Sequence, residues 1–209
     1  MYLPAQFEER RPEVLHALLR AHPLATWVSQ RDGELVVEHV PFLLDPARGE
    51  HGTLIGHVAR ANPVWRQLAA SVLVFQGPQA YVSPAWYPSK QVHGKVVPTW
   101  NYAVVHAHGQ PRAIEDPAAL RQIVSRLTDT HEAGRAQPWQ VADAPADYID
   151  QMLAAIVGIE MPIERLVGKW KVSQNRSAAD RAGVAAGLLA DAAPQAAAMA
   201  ALVQPSTDA

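Results

Sequence analysis

The chain is predicted to be mainly β with flanking helices, an α+β fold built around a small antiparallel barrel. Three observations carry this. About six short apolar and β-branched runs follow one another in meander order, punctuated by Gly, Pro and Asp turn residues. Helical periodicity is confined to the start of the chain, a few connections and the end. The 209 residues, 49% hydrophobic and 18% charged, describe a globule able to bury a core.

Pro12 opens a first helix in which Val14, Leu15, Leu18 and Leu19 recur at helical spacing, and His22-Pro23 stops it. Residues 24–30 and 34–40 are strands separated by Arg31-Asp32-Gly33, and an Asp-Gly between such runs signals a hairpin. Residues 41–45 extend the second strand, 46–52 form a polar loop, and 53–59 read as the next strand. Asn62 caps and Pro63 opens a short helix over 64–70. Residues 71–76 and 79–83 are strands split by Gly77-Pro78, and 96–108 is the longest β-type run, turned by Gly109-Gln110-Pro111 into 112–114. Asp116-Pro117 caps a helix running to about Glu132, and 145–154 is helical too. Residues 156–166, with Pro162 inside, read as one final strand on an edge or with a bulge. From Ser177 the chain turns Ala-rich, giving two small-residue helices with Ser177 as cap and Pro194 as break. Alanine buries little, so this tail needs a larger body to dock on. The expected organisation is a barrel domain over 1–176 and a helical tail over 177–209 packed on it.

Composition excludes several classes. Lys plus Arg number 18 against 20 Asp plus Glu, and a net charge of -2 supplies no general pull toward nucleic acid or an anionic membrane. The tail carries no positive residue after Arg181, which argues against a DNA-reading helix there. No run approaches the ~20 apolar residues of a membrane span, and the amino terminus lacks a basic start and an apolar signal core, so a cytoplasmic protein without membrane contact is expected. With no cysteine, disulfides, thiolate metal sites and a cysteine nucleophile are excluded. Of the nine histidines, the pairs His51/His57 and His106/His108 lack a third ligand, and no metal site is expected. Gly-x-Ser-x-Gly, P-loop and Rossmann glycine patterns are missing, which leaves any chemistry to another cofactor.

The four lysines mark where that chemistry sits: Lys90 and Lys95 at and after YVSPAWYPSK, Lys169 and Lys171 in GKWKVSQNR. Both stretches set aromatics and hydroxyl or amide groups beside a cation, the mixture that holds a planar ring and a phosphate. In the first, Pro84 and Pro88 stiffen the backbone around Trp86 and Tyr87, beside Ser83 and Lys90. A rigid connection over the core, with Lys90 solvated, is the plain alternative. VPTWNY enters a strand, so Thr99 and Asn101 share one face and Trp100 and Tyr102 the other. Trp100 as simple core is again the plain alternative, whereas a buried Asn101 needs a partner. Arg60 stands just before the Asn62-Pro63 helix start, where a guanidinium fork and a helix N-terminus both favour phosphate. In GKWKVSQNR, alternation sends Lys169, Lys171 and Ser173 one way and Trp170, Val172 and Gln174 the other, with Arg176 following. A basic strand end neutralised by carboxylates and a site for phosphate or a flavin-ring edge both fit that donor density.

HGTLIGHVARANPVW, VFQGPQAYVSPAWYPSK, VPTWNY and IVGIEMPIERLVGKWKVSQNR resemble the signature blocks of the PaiB-type FMN-binding proteins, often called negative transcriptional regulators. MYLPAQF and EHVPF fit as well, so the resemblance spans Met1 to about Gly187. It implies an FMN-binding split β-barrel of the pyridoxamine-phosphate oxidase-like group, with FMN held at the interface of a homodimer. On this sequence it implies His39, His57, Arg60, Ser83 and Lys90 near phosphate and ribityl chain, and Tyr87, Trp100 and Asn101, with Thr99, nearer the ring. Lys169, Gln174 and Arg176 complete the pocket, from the same or the partner chain. The implied function is that of an FMN-binding regulator. The alternatives are an FMN-dependent oxidoreductase taking electrons from a nicotinamide or small-molecule partner, and a haem-binding or haem-degrading barrel. Direct DNA contact by the dimer has weak support, because the composition offers no basic reading surface.

Overall fold

The computed structural model describes residues 1–204. The chain divides into two compact units, one made of Met1–Leu18, Gln76–Val105 and the chain from Val167 on, the other of Leu19–Phe75 and His106–Leu166.

In the second unit, β2 (Leu24–Arg31) and β3 (Glu34–Pro41) form the expected hairpin, paired from Leu24↔Pro41 to Arg31↔Glu34. Asp32 (φ 53°) and Gly33 (φ 86°) both lie in the left-handed region, the turn geometry that matches strand twist and favours Asp-Gly. On its other side β2 pairs with β6 (Ser71–Val82), Trp27 opposite Leu73. The expected extension of β3 to residue 45 does not form. Buried Phe42 breaks the run, and β4 (Leu43–Asp45) starts a separate antiparallel sheet of order β4-β5-β9-β8. Its β5 (Thr53–Ala59) and β9 (Ile156–Pro162) pair along their whole length, and β8 (Arg112–Ile114) covers the other edge of β9. Gly56 is required where β5 passes the β3 end, since a Cβ there would lie 2.7 Å from the Pro41 carbonyl oxygen. Helix α3 (Pro117–Glu132) is capped by Asp116, which accepts from Ala119 N at 2.8 Å, and packs Ile123 and Leu127 on Ile55. Leu120 joins Ile149 and Leu153 of α4 (Ala146–Ala154) in a second cluster. The helix expected over 64–70 is a single 3-10 turn, Pro63–Arg66, still capped by Asn62.

In the first unit, β1 (Glu8–Glu9), most of β10 (Arg165–Lys171), the first part of β7 (Thr99–Gly109) and the later part of β6 lie in that order, with Glu8 opposite Lys169. Helix α1 (Pro12–Ala21) follows β1, and the short α2 (Ser89–His93) interrupts the stretch before β7. The expected break at Gly77-Pro78 is absent, and β6 runs straight through. The glycine is there for room rather than for a turn: a Cβ would sit 2.8 Å from Leu18 Cδ1 and 3.0 Å from Ala103 O. The single strand expected over 156–166 is two, β9 ending at Pro162 and β10 beginning at Arg165 in a different sheet. The Ala-rich end forms α5 (Ala178–Ala190) and α6 (Ala196–Val203), with Ser177 accepting from Asp180 N at 3.1 Å as the cap. These helices bury Val184, Leu188, Met199 and Val203 against Val82, Tyr87 and Val172. Each such side chain contributes about 1.5–3 kcal/mol of transfer free energy, which anchors helices that alanine alone would not. Among the described residues no helix is long and apolar enough to cross a membrane.

Candidate functional site

The first unit gathers the lysine-bearing strand ends. Trp170 and Val172 of the β10 segment pack toward α5 and α6, so alternation turns Lys169 and Lys171 to the opposite side. Lys169 is buried, with 7% of its surface exposed. Its Nζ donates to the Tyr2 carbonyl oxygen at 3.0 Å and lies 5.3 Å from the Tyr102 ring centre and 5.8 Å from that of Tyr2. Lys171 Nζ donates to Thr99 Oγ1 and to the Trp100 carbonyl oxygen, the latter at 2.6 Å. Asn101, almost fully buried, donates from Nδ2 to Ser173 Oγ at 2.9 Å, the partner a buried amide needs. Ser173 adopts φ 65° and turns the chain out of β10 toward α5. The Arg176 guanidinium lies over the Tyr87 ring at 5.0 Å. Trp100 is 55% and Tyr81 46% exposed, and the two rings meet edge to face at 6.1 Å.

The charges here are unusual for what they lack. Among the described residues none of the four lysines, nor Arg176, forms an ion pair with a carboxylate. Burial, then the neighbouring Lys169 and Arg176, push the Lys171 ammonium below its ordinary value. A group of cations that disfavour one another is relieved by an incoming anion, and perturbed groups of this kind cluster at functional sites. Asp180 makes no ion pair with them, although the Arg176 charge adds a small lowering to its carboxyl. Burial pushes its carboxyl up, but hydrogen bonds from Ser89 N (3.1 Å) and from Ser177 outweigh that and hold it below its usual range. It thereby ties the 83–94 segment to the start of α5.

The other residues implied by the resemblance have separate placements. Ser83 Oγ accepts from Ala85 N at 3.2 Å as the cap of the Pro84–Trp86 turn, and Lys90 is exposed on α2. Gln174 spends its amide within its own turn, accepting from Val172 N at 2.8 Å and donating to the Trp170 carbonyl. In the second unit, His39 and His57 line one shallow cleft of ≈ 330 Å³ together with Asn62 and Ile156. His57 Nδ1 is buried without a hydrogen-bond partner, and burial lowers its pKa, which keeps the imidazole neutral at pH 7. Arg60 is engaged throughout: Nε donates to Ala154 O at 2.9 Å, Nη2 to Ile156 O at 3.0 Å and Nη1 to Glu115 at 2.7 Å. His106 and His108 stand 6.3 Å apart on β7, and Arg165 reaches His108 Nδ1 at 3.1 Å. Among the described residues no group of three or more His, Cys, Asp or Glu is placed to hold a metal ion.

Lys171 and Tyr2 stand outside the set implied by the resemblance. Strand parity with Lys169 was available as a signal for Lys171; nothing local points to Tyr2.

A family model described as "Putative FMN-binding domain" matches residues 1–165. The chain belongs to this family. A flavin is the cofactor that goes with membership in this FMN-binding family. The chain is 34% identical over 225 residues to an uncharacterised protein of Emericella nidulans, covering 90% of each. It is 29% identical over 207 residues to the protease synthase and sporulation protein PAI 2 of Bacillus subtilis, covering 98% of this chain and 97% of that one, so it is of the PaiB type. Among solved structures it is similar to the FAD and haem binding protein from Mycobacterium smegmatis, with TM-score 0.58, 22% identity and coverage of 78% and 73%. The flavocytochrome Anf3 from Azotobacter vinelandii gives TM-score 0.58 at 16% identity, covering 78% and 69%. At such identities these likenesses carry the fold: mostly antiparallel sheet with flanking helices, similar to split barrels.

Proposed function

We propose that this chain is a homodimeric FMN-binding protein with a regulatory output, and that Lys169, Lys171 and Arg176 supply the positive charge that holds the flavin. The observation that carries this is a set of cations without carboxylate partners, placed among Thr99, Asn101 and exposed Trp100. FMN presents a phosphate dianion and a flat ring, and this donor set fits both: ammonium and guanidinium groups for negative charge, indole and phenol faces for the ring. A bound flavin supplies electron transfer. The protein's own contribution is to bind, to orient, and to hold Lys171 as a proton-bearing donor whose charged form a bound anion favours.

Apolar surface supports the dimer. Trp100, Tyr81, Val92 and Val97 are exposed in the first unit, and Leu35 and Val37 share the exposed face of strand β3 in the second. A second copy of the chain is the occupant proposed for such patches. The regulatory output is proposed to act without direct DNA contact, in keeping with a net charge of -2, and in the cytoplasm, in keeping with a chain free of cysteine. Titration of the purified protein with FMN, followed by quenching of flavin fluorescence, tests the reading. Saturable quenching is expected, and protein that neither carries nor takes up FMN would sink it.

A second reading, reduction of a small acceptor through FMN with electrons from a reduced nicotinamide, is favoured by the His39/His57 cleft and its unpartnered Nδ1. Anaerobic mixing with NADH or NADPH should then bleach bound flavin. Absence of bleaching with either dismisses it.

A further inference from the structure

We infer that the first unit holds a second ligand site, for a small organic anion with a flat apolar body, on the side of β10 opposite Lys169 and Lys171. A cleft of ≈ 350 Å³ opens there, within the range of small-molecule pockets, and its walls include Val14, Trp170, Val172 and Leu202. Two arginines and one carboxylate also face it. Glu9 is taken by Arg11, whose Nε and Nη2 reach its two oxygens at 3.0 and 2.6 Å, and that hydrogen bond holds the Glu9 carboxyl below its usual range. The pair is neutral as a unit and leaves Arg181 as the net charge of the cleft.

Arg181 is the decisive residue. Its Nε is buried without a hydrogen-bond partner, and its guanidinium forms no ion pair among the described residues. The guanidinium as a whole makes no hydrogen bond among the described residues, and a carboxylate or sulfonate in the cleft is the acceptor that its fork matches. Gln174 also borders the cleft, but its amide is already spent on Val172 and Trp170, so it supports the wall and asks for no ligand. Inorganic phosphate would satisfy Arg181 and leave the indole and aliphatic walls wet. An acid carrying a flat hydrocarbon body answers both. Because Trp170 and Val172 alternate with Lys169 and Lys171 along the chain, such a ligand would touch the strand that carries the proposed flavin cations. That coupling rests on the flavin reading, and the site itself does not.

Calorimetric titration with 2-naphthoate and with its neutral analogue 2-naphthalenemethanol tests the proposal, on protein with and without FMN. The acid is expected to bind at least about tenfold more tightly than the alcohol, the scale of one charge-assisted contact. Arg181→Leu should bring the acid down to the alcohol's level. Ala201→Trp, at an exposed position on the rim, should abolish binding of both, and it serves if Arg181→Leu does not fold. Equal binding of acid and alcohol, no binding of the acid, or acid binding unchanged in a folded variant overturns the site. FMN titration of the same variants reads the flavin proposal separately, and neither substitution should abolish FMN binding.

Discussion

In the second unit arginines meet carboxylates: Arg48 with Glu160 at 2.6 Å, Arg60 with Glu115 at 2.7 Å, Arg121 with Asp150 at 2.7 Å and Arg126 with Asp45 at 3.2 Å. In the first, Arg10 and Arg11 are likewise paired with Glu8 and Glu9 near the amino terminus, but Lys169, Lys171 and Arg176 meet carbonyls, a hydroxyl and aromatic rings and form no ion pair with a carboxylate. Exposed ion pairs of the first kind contribute about 0–1 kcal/mol each, so their main effect is to cancel charge locally. Cations left uncancelled keep their field for something that arrives later. The contrast separates charge used to hold the fold from charge available to a ligand, and four substitutions or conditions can break it or sharpen it.

The largest effect is expected from replacing both lysines. Lys169→Met with Lys171→Met should weaken FMN by about a hundredfold to ten-thousandfold, two charge-assisted hydrogen bonds at roughly 1.5–3 kcal/mol each, beside a stability loss of about 1–2 kcal/mol from the Tyr2 and Trp100 carbonyls left without their donors. Unaltered affinity in flavin titration would dissolve the contrast. Next comes Gly183→Ala in α5, whose new Cβ would lie 2.1 Å from the Trp86 carbonyl oxygen. Backbone has to move, and a loss of about 1–3 kcal/mol is expected in urea unfolding. A neutral result would mean that the 83–94 segment is not clamped on α5. Arg60→Met strips donors from the Ala154 and Ile156 carbonyls and should cost about 1–2 kcal/mol of stability while shifting FMN affinity less than about threefold. A large affinity loss there would move the phosphate to the second unit.

The smallest effect concerns pH. Burial lowers the pKa of His57, His106 and His108, with Arg165 adding to it at the last two. The unfolded chain therefore binds more protons below the ordinary histidine value of about 6.5, and stability should rise with pH through the window just below it and level off above. Denaturant midpoints compared at about pH 5 and about pH 7.5 check this, and His57→Gln should reduce the difference. A pH-independent midpoint would refute it.

Much of the fold was legible because its signals are local. Asp32-Gly33 specified the hairpin, Asn62 and Asp116 their caps, and Ser177 the start of α5. Gly77-Pro78 misled because a glycine that makes room for Leu18 and Ala103 looks the same in sequence as one that makes a turn. Pro162 read as a bulge inside one strand. It ends β9, after which Ile163 N bonds Gly52 O and Glu164 N bonds His108 O before β10 begins, and those partners are remote in sequence. The candidate site divides the same way. Scarce lysine pointed to GKWKVSQNR, and the buried amide of Asn101 announced a missing partner. That the partner is Ser173, 72 positions away, and that Lys169 caps the carbonyl of Tyr2, 167 positions away, required the tertiary structure.

The most direct measurement is a flavin-fluorescence titration of Lys171→Met beside Arg60→Met, repeated at rising pH on the unaltered protein. If the first unit holds the cofactor's charge, Lys171→Met loses at least about tenfold in affinity, Arg60→Met keeps it, and the unaltered protein binds less tightly as pH climbs through the depressed Lys171 value. The reverse order of the two variants, with affinity indifferent to pH, would contradict the account.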